Sequence, residues 1–202
     1  MRETIQVSDD VQVYDMLLLI GEAVKVAAGS PASVTVVSPW ISNVPYYLGS
    51  SGLTVSIPQL AFAKSETIKL LDVVKYVMRN PMSKVIIATL FPTPEKYDRS
   101  SQQVWELRLL SELSERGAKV YFYKSATDIM HAKLLMTSHG VAFGTFNYTT
   151  SGRYWNLEDG NYSSSQSPVY FEKKKRIEEI ISRCEPTDVR KLDELIAKFE
   201  KP

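Results

Sequence analysis

The chain has 202 residues, of which 44% are hydrophobic, and its formal net charge at pH 7 is +1. This length is enough for one α/β domain with a sizeable core, and we expect a single domain over residues 1–202. The near-zero charge excludes a general attraction to nucleic acid, so that any polyanion must bind a local patch. The apolar runs are too short to span a bilayer, no secretion leader is recognisable, and one cysteine cannot form an internal disulfide. These features predict a cytoplasmic protein that does not bind membranes.

Apolar periodicity predicts an alternation of helices and strands over the first 124 residues. The predicted elements are a helix over 11–28, a buried strand over Ser33–Ile41, a short strand at Leu53–Ile57, a helix from Ser65 to about Met78, a strand over Lys84–Leu90, a helix over 98–116 and a strand over Val120–Lys124. This alternation is typical of an α/β fold, with a β-sheet that carries helices on both faces.

The pattern changes after Lys133, where two apolar segments predict a hairpin with its turn at residues 138–140. Pairing centred on His139 would place residue i opposite about residue 278 − i (twice 139), and Lys133 therefore opposite about Thr145. We expect loop over 149–168, and then a helical C-terminal extension (170–202). Its two charged helices, over 170–184 and 187–199, are separated at Glu185–Pro186.

His131 and Lys133 begin the hairpin, and their side chains share one face of a strand because strand side chains alternate. A neutral imidazole can attack a phosphate diester, and a lysine ammonium offsets the charge on the non-bridging oxygens. The pair alone is weak support, since H-x-K occurs by chance and a lone histidine is more often a packing or surface residue.

Two further polar groups, Thr145 and Asn147, alternate on the second strand and are expected on the same face as the pair. Glu158 follows Asn147 by 11 residues (158 − 147). A carboxylate there can accept a hydrogen bond from one imidazole nitrogen and leave the other free to attack. The alternative is that Glu158 is one of several loop acids beside Asp159.

The succession H-x-K, G-[S/T]-x-N and N-x-E over residues 131–158 resembles the phospholipase D superfamily and its HKD motif, in particular the small single-motif bacterial nucleases. The resemblance implies a phospholipase D-like fold with a mixed sheet. It also implies that His131 is the nucleophile of a phosphohistidine intermediate, that Lys133, Thr145 and Asn147 hold the phosphate, and that Glu158 orients the histidine. Ser138 departs from the motif, which usually has aspartate there, at a turn predicted to lie away from the phosphate.

The mechanism also needs an acid on the opposite side of the phosphorus, to protonate the leaving oxygen. The chain has only two histidines, and His139 is expected to be a solvated turn residue. We therefore expect a homodimer with one composite site. No metal-binding motif is recognisable, so that we expect no cofactor and cleavage that persists in EDTA.

Further substrate contacts are predicted outside the motif. Ser38 and Trp40 end the first strand, and Trp40 either stacks on a base or covers the core. Arg153 lies beside aromatic residues in the loop before Glu158, a combination that suits a single-stranded backbone.

The leading hypothesis is a metal-independent nuclease that acts on DNA, with RNA as the alternative substrate, in DNA repair or defence against foreign DNA. Two alternatives remain open. One is a catalytically weak or inactive nucleic-acid-binding module that partners a DNA-translocating ATPase. The other is a lipid-hydrolysing enzyme of the phospholipase D type.

Overall fold

The computed structural model describes residues 8–43, 45–47, 67–92, 100–124, 130–145, 147–148 and 160–200. Its helices are α1 (Ser8–Ala27), α2 (Leu70–Val77), α3 (Ser100–Glu115), α4 (Pro168–Ser182) and α5 (Val189–Phe199). Its strands are β1 (Ser33–Val37), β2 (Pro45–Tyr47), β3 (Thr67–Lys69), β4 (Lys84–Leu90), β5 (Lys119–Tyr123), β6 (Leu134–Thr137), β7 (Gly140–Gly144), β8 (Gly160–Ser164) and β9 (Cys184–Thr187).

Seven strands form one mixed sheet in the order β8-β7-β6-β1-β4-β5-β9. The central strands β1, β4 and β5 are parallel, and every other pairing in this sheet is antiparallel. Strands β2 and β3 form a separate antiparallel pair. The predicted α/β architecture is therefore confirmed.

Helices cover both faces of the sheet. Helices α1, α2, α3 and α5 pack on one face and contribute Leu19, Val73, Leu110 and Leu192 to the larger apolar core. Helix α4 covers the other face with Ile177 and Ile180. The central strands alternate between these two cores and are buried on both sides, which explains their nearly continuous apolar sequences. No helix in the described ranges is long and apolar enough to cross a bilayer.

The strand directions give the sheet two distinct ends. Strands β1, β4, β5 and β7 finish at one end, where the antiparallel strands β6, β8 and β9 begin, and we call it the site end. The opposite end contains the connection between β6 and β7, and we call it the turn end.

Three predicted stretches need correction. Residues Thr67–Lys69 pair with β2, so that the helix predicted from Ser65 begins only at Leu70. Gly160–Ser164, predicted as loop, is strand β8. Cys184–Thr187, predicted only to separate two helices, is strand β9 and pairs with β5, and the C-terminal extension therefore contributes a strand to the main sheet. The short strand predicted at Leu53–Ile57 lies outside the described residues.

The hairpin register is also shifted by one residue from the prediction. Leu134 pairs with Phe143, and the backbone N–H of Gly144 donates to the carbonyl of Lys133 at 3.3 Å. The connection contains two residues, 138–139, instead of the three assumed, because β7 already begins at residue 140. A one-residue shift exchanges the two faces of a strand, and the ladder therefore gives no reason for Thr145 to share the face of Lys133.

Candidate active site

His131 and Lys133 lie at the site end, just before β6. Lys133 is only 3% exposed, whereas His131 is exposed. The ammonium of Lys133 donates to the backbone carbonyl of His131 at 3.0 Å and also lies 3.0 Å from Nδ1 of the His131 imidazole. The predicted pair is therefore in direct contact, with the lysine beneath an accessible histidine.

This contact determines which nitrogen of His131 carries the proton. An ammonium group can only donate, so that Nδ1 must be the acceptor and Nε2 must carry the hydrogen in the neutral ring. In this arrangement Nε2 is a proton donor. Before it can attack phosphorus, the ammonium of Lys133 has to leave Nδ1.

Asn147 is held beside the segment that follows β1, through its neighbour Tyr148. The backbone N–H of the fully buried Tyr148 donates to Ser38 Oγ at 3.1 Å, and its carbonyl accepts from the N–H of Ser42 at 2.7 Å. A parallel bridge joins Ile41 to Tyr148. The half-buried Asn147 has its amide oxygen buried without a hydrogen-bond partner among the described residues. This anchoring, and not the hairpin ladder, places Asn147 at the site end.

The predicted substrate contacts occupy different environments. Ser38 is completely buried, and its hydroxyl donates to the carbonyl of Trp40 at 2.7 Å while accepting from Tyr148, which is a structural role. Trp40 is half-buried, and a stacking role for it stays a prediction. Thr145 follows β7 directly and is exposed.

Glu158 and Arg153 fall outside the described residues, and their predicted roles are not tested. Gly160, two residues after Glu158, pairs with Gly144 at the site end. Gly160 therefore lies at the same end of the sheet as His131.

A buried carboxyl group at the site end was not predicted. Glu106 of α3 accepts a hydrogen bond from the backbone N–H of Ile41 at 2.6 Å and another from the hydroxyl of Thr89 at 3.3 Å. Burial raises the pKa of Glu106 to about 8, although both hydrogen bonds act in the opposite direction. Glu106 thus fixes the segment that carries Trp40 and anchors Tyr148.

The departure from the motif, Ser138, lies at the turn end, in the connection between β6 and β7 where the hairpin prediction placed it. The fully buried carboxylate of Glu22 accepts from the backbone N–H of Ser138 at 2.8 Å and from its hydroxyl at 2.5 Å. Helix α1 therefore supplies a carboxylate to this turn. The ring of His139 lies against Gly21, where a Cβ would meet Cδ2 of the ring at 2.9 Å, and is 46% exposed. His139 is thus partly packed at the end opposite His131.

Comparison with known proteins agrees with this fold. Residues 48–183 match the family model described as the PLD-like domain of cardiolipin synthase. No curated protein matches the chain. Among solved structures, Nuc from Salmonella typhimurium, a phospholipase D family member, has a TM-score of 0.51 at 12% identity and covers 86% of this chain and 90% of its own.

Two further structures are similar at lower scores. NucT from Helicobacter pylori has a TM-score of 0.47 at 11% identity and covers 86% of this chain and 91% of its own. The phosphatidylserine synthase of Haemophilus influenzae Rd KW20 has a TM-score of 0.47 at 10% identity and covers 83% of this chain and 39% of its own. Because the family model spans most of the chain and includes all of the residues 131–158, this protein belongs to the phospholipase D-like family.

Proposed function

We propose that this phosphodiester hydrolase cleaves DNA without a metal ion, through a phosphohistidine intermediate on His131. The observation that carries the proposal is the contact between His131 and Lys133 at the site end, with the imidazole exposed and the ammonium buried beneath it. A buried cation attracts an anion more strongly than a solvated one, because the surrounding dielectric constant is lower.

Substrate binding would activate the histidine. A non-bridging phosphate oxygen competes for the ammonium of Lys133, and its charge makes it a better acceptor than a neutral imidazole. When the ammonium turns to the phosphate, Nδ1 is released and can take the ring proton, and Nε2 then presents its lone pair to phosphorus. Glu158 is the predicted acceptor for the proton on Nδ1.

The reaction then proceeds in two displacements. The bond from Nε2 to phosphorus forms while the bond from phosphorus to the leaving oxygen breaks, and an acid on the far side protonates that oxygen. The conjugate base of that acid then takes a proton from water, the water oxygen attacks phosphorus, and the bond from phosphorus to nitrogen breaks, which regenerates the imidazole and the acid. Lys133 stabilises charge on the non-bridging oxygens in both steps.

The acid on the far side would come from a second copy of the chain. His139 is the only other histidine in the sequence, and it lies at the turn end, with β6 between it and His131. A homodimer with its two-fold axis close to His131 places two imidazoles on opposite sides of one phosphorus atom. Light scattering should then give twice the mass of 22.8 kDa.

The substrate assay compares His131→Ala with His139→Ala, a matched control that removes the other histidine. Each variant is incubated with labelled single- and double-stranded DNA and with phosphatidylcholine, in EDTA and in Mg²⁺. We expect His131→Ala to lose about 10⁴-fold or more in rate and His139→Ala to retain activity, with equal cleavage in EDTA.

Each alternative has its own outcome in this assay. DNA binding without cleavage by any form of the protein would contradict the proposal and favour a binding module that serves a partner such as an ATPase. Turnover of phosphatidylcholine but not DNA would favour a lipid enzyme. A strict requirement for Mg²⁺ would contradict the metal-independent mechanism.

A further inference from the structure

Helix α1, from Tyr14 to its end, lacks the charged outer face that a helix on a protein surface usually has. In this range its exposed residues are all apolar, namely Tyr14, Leu17, Val24 and Ala27. Its acidic residues there, Asp15 and Glu22, are buried. The ammonium of Lys25 donates to Ser138 Oγ at 2.9 Å and is therefore directed to the connection between β6 and β7. A helix that is apolar on all sides is normally buried on all sides, so that the outer side of α1 indicates a contact with another surface.

Strand β8 continues this apolar surface at the margin of the sheet. The ring of Tyr162 stacks on that of Tyr14, with centroids 4.8 Å apart, and both residues are about 40% exposed. In the described part of the chain, β8 is the last strand on its side of the sheet, and its sequence GNYSS contains no charged residue and no proline. Edge strands usually have such residues, which prevent pairing with other chains. We call the exposed side chains of Tyr14, Leu17, Val24 and Tyr162, together with the outer edge of β8, the α1–β8 face.

The chemistry of the α1–β8 face favours a protein partner. None of the exposed residues of α1 from Tyr14 onward, or of β8, is charged. The exposed residues of α4, by contrast, include Glu172, Lys174, Arg176 and Glu179. Nucleic acids and anionic membranes are bound mainly through lysine and arginine, whereas the cores of protein interfaces are rich in tyrosine and poor in charge. The face therefore suits a partner surface that is itself apolar, as a second copy of the same face is.

The α1–β8 face lies on the same side of the sheet as His131. Tyr162 pairs with Ala142, and Ala142 pairs with Leu135, so that two strand spacings, about 10 Å, separate Tyr162 from β6. Leu135 follows His131 by four residues (135 − 131), which is at most about 13 Å. A standard interface of about 800 Å² per partner is roughly 30 Å across and can include both places. The other margin, at β9, is four spacings from β6, or about 19 Å.

From these observations we infer that the α1–β8 face is the surface through which two copies of this chain associate. The inference rests on the proposed function, which needs a second His131 at the site end. A two-fold axis brings the same residues of both copies into the contact, so that each copy covers the other's apolar face. Because Gly21 lies against His139 at the turn end, Tyr14 and Leu17 are the residues of α1 nearer to the site end.

The test uses Leu17→Glu/Val24→Glu, which places two charges in the proposed interface. The control, Met82→Glu, makes the same change at a methionine that is 67% exposed and precedes β4, a strand four positions from β8. In light scattering, the wild type and the control should have twice the mass of 22.8 kDa. The dissociation constant of the dimer should rise about 100-fold or more in the double variant, and circular dichroism checks that it is folded. An unchanged dissociation constant would overturn the inference.

Activity separates this inference from the proposed function. If both are right, the double variant loses cleavage of DNA at concentrations where it is monomeric and regains cleavage when it is concentrated, because a monomer has half of the site. A monomeric double variant with wild-type activity would support the interface and contradict the composite site. A dimeric double variant with wild-type activity would overturn the interface alone.

Hydrogen exchange tests the interface in the wild type, without a substitution. Amides of α1 and β8 should exchange more slowly above the dissociation constant of the dimer than below it, whereas those of α4 should not change. Protection confined to other elements, or a wild type that is monomeric at every concentration, would overturn the inference. Binding of a monomeric wild type to phosphatidylcholine vesicles, abolished in Leu17→Glu/Val24→Glu, would also overturn it, because a lipid surface would then cover the face.

Discussion

Two carboxyl groups at opposite ends of the sheet, Glu22 and Glu106, have different surroundings. At the turn end, Glu22 accepts from the N–H groups of Ser33 and Ser138 and forms an ion pair with Lys25 at 3.5 Å. At the site end, Glu106 accepts from Ile41 and Thr89, and burial raises its pKa to about 8.

The difference distinguishes the turn end from the end that contains the candidate site. A carboxylate with several donors and a cation fixes a turn at little cost, because its charge is compensated. A carboxyl with two donors and a raised pKa is mostly protonated at neutral pH, and its ionisation opposes folding. The charge at the turn end is therefore compensated, whereas the site end retains a carboxyl group with a raised pKa next to the segment that anchors Asn147.

The largest expected effect is on the pH dependence of stability. The folded pKa of Glu106, about 8, exceeds the ordinary glutamate value of 4.5, so that its contribution to stability is fully favourable below pH 4.5 and is lost as pH rises to 8. Over this window, the free energy of unfolding should fall on the order of 3–5 kcal/mol through this one group.

Glu106→Gln keeps an acceptor for Ile41 but cannot ionise. In denaturation experiments from pH 5 to 9, the free energy of unfolding of the variant should therefore rise relative to that of the wild type as pH rises. The control for lost charge is Glu112→Gln, because Glu112 is a partly exposed residue of the same helix and its carboxylate pairs with Lys75. A constant difference between Glu106→Gln and the wild type at every pH would refute the assignment.

The next largest expected effect is a loss of stability on substitution of Glu22 at the turn end. Glu22→Ala leaves the backbone N–H groups of Ser33 and Ser138 without their acceptor and should lower the free energy of unfolding by about 3 kcal/mol. Lys25→Ala removes the partly exposed cation and its hydrogen bond to Ser138 Oγ at 2.9 Å, and should cost less than about 1 kcal/mol. Denaturant titration measures both, and similar losses for the two variants would show that the contacts of Lys25, and not the backbone N–H groups bound by Glu22, account for the stabilisation.

The smallest effect concerns the aspartate missing from the motif. Ser138→Asp places a second carboxylate beside Glu22 and should cost about 1–2 kcal/mol. In a Glu22→Gln background, the same substitution should cost less or restore stability, because the new carboxylate then replaces the lost one. A double-mutant cycle measures this coupling, and additive effects would mean that Glu22 does not take the place of the motif's aspartate.

The sequence was informative where burial was complete. The apolar strand over Lys84–Leu90 was predicted at its observed bounds, because a strand buried on both faces has a continuous apolar sequence. The strands β8 and β9 at the sheet's two margins were missed, since GNYSS and CEPT are polar, partly exposed and, in β9, interrupted by proline. Strand β3 depends on pairing with β2, which local periodicity does not reveal.

The candidate site likewise contains features that the residue pattern predicted and features that it did not. His131 and Lys133 were identified from their spacing, whereas the register of the hairpin depended on a turn length that the residue pattern left open. Glu22 and Glu106 were missed because a glutamate in an amphipathic helix is usually solvated. A signal existed for both, since Glu22 lies four residues after Leu18 and Glu106 four before Leu110, on the buried stripe of each helix.

The most direct test of the proposed mechanism is to trap the intermediate. The protein is mixed in excess with DNA labelled with ³²P at internal phosphates, quenched in alkali during a single turnover, and digested. We predict label on the peptide that contains His131, stable in alkali and lost in acid, present in His139→Ala and absent in His131→Ala. Cleavage without label on His131 at any time point, or cleavage by His131→Ala at the wild-type rate, would contradict the account.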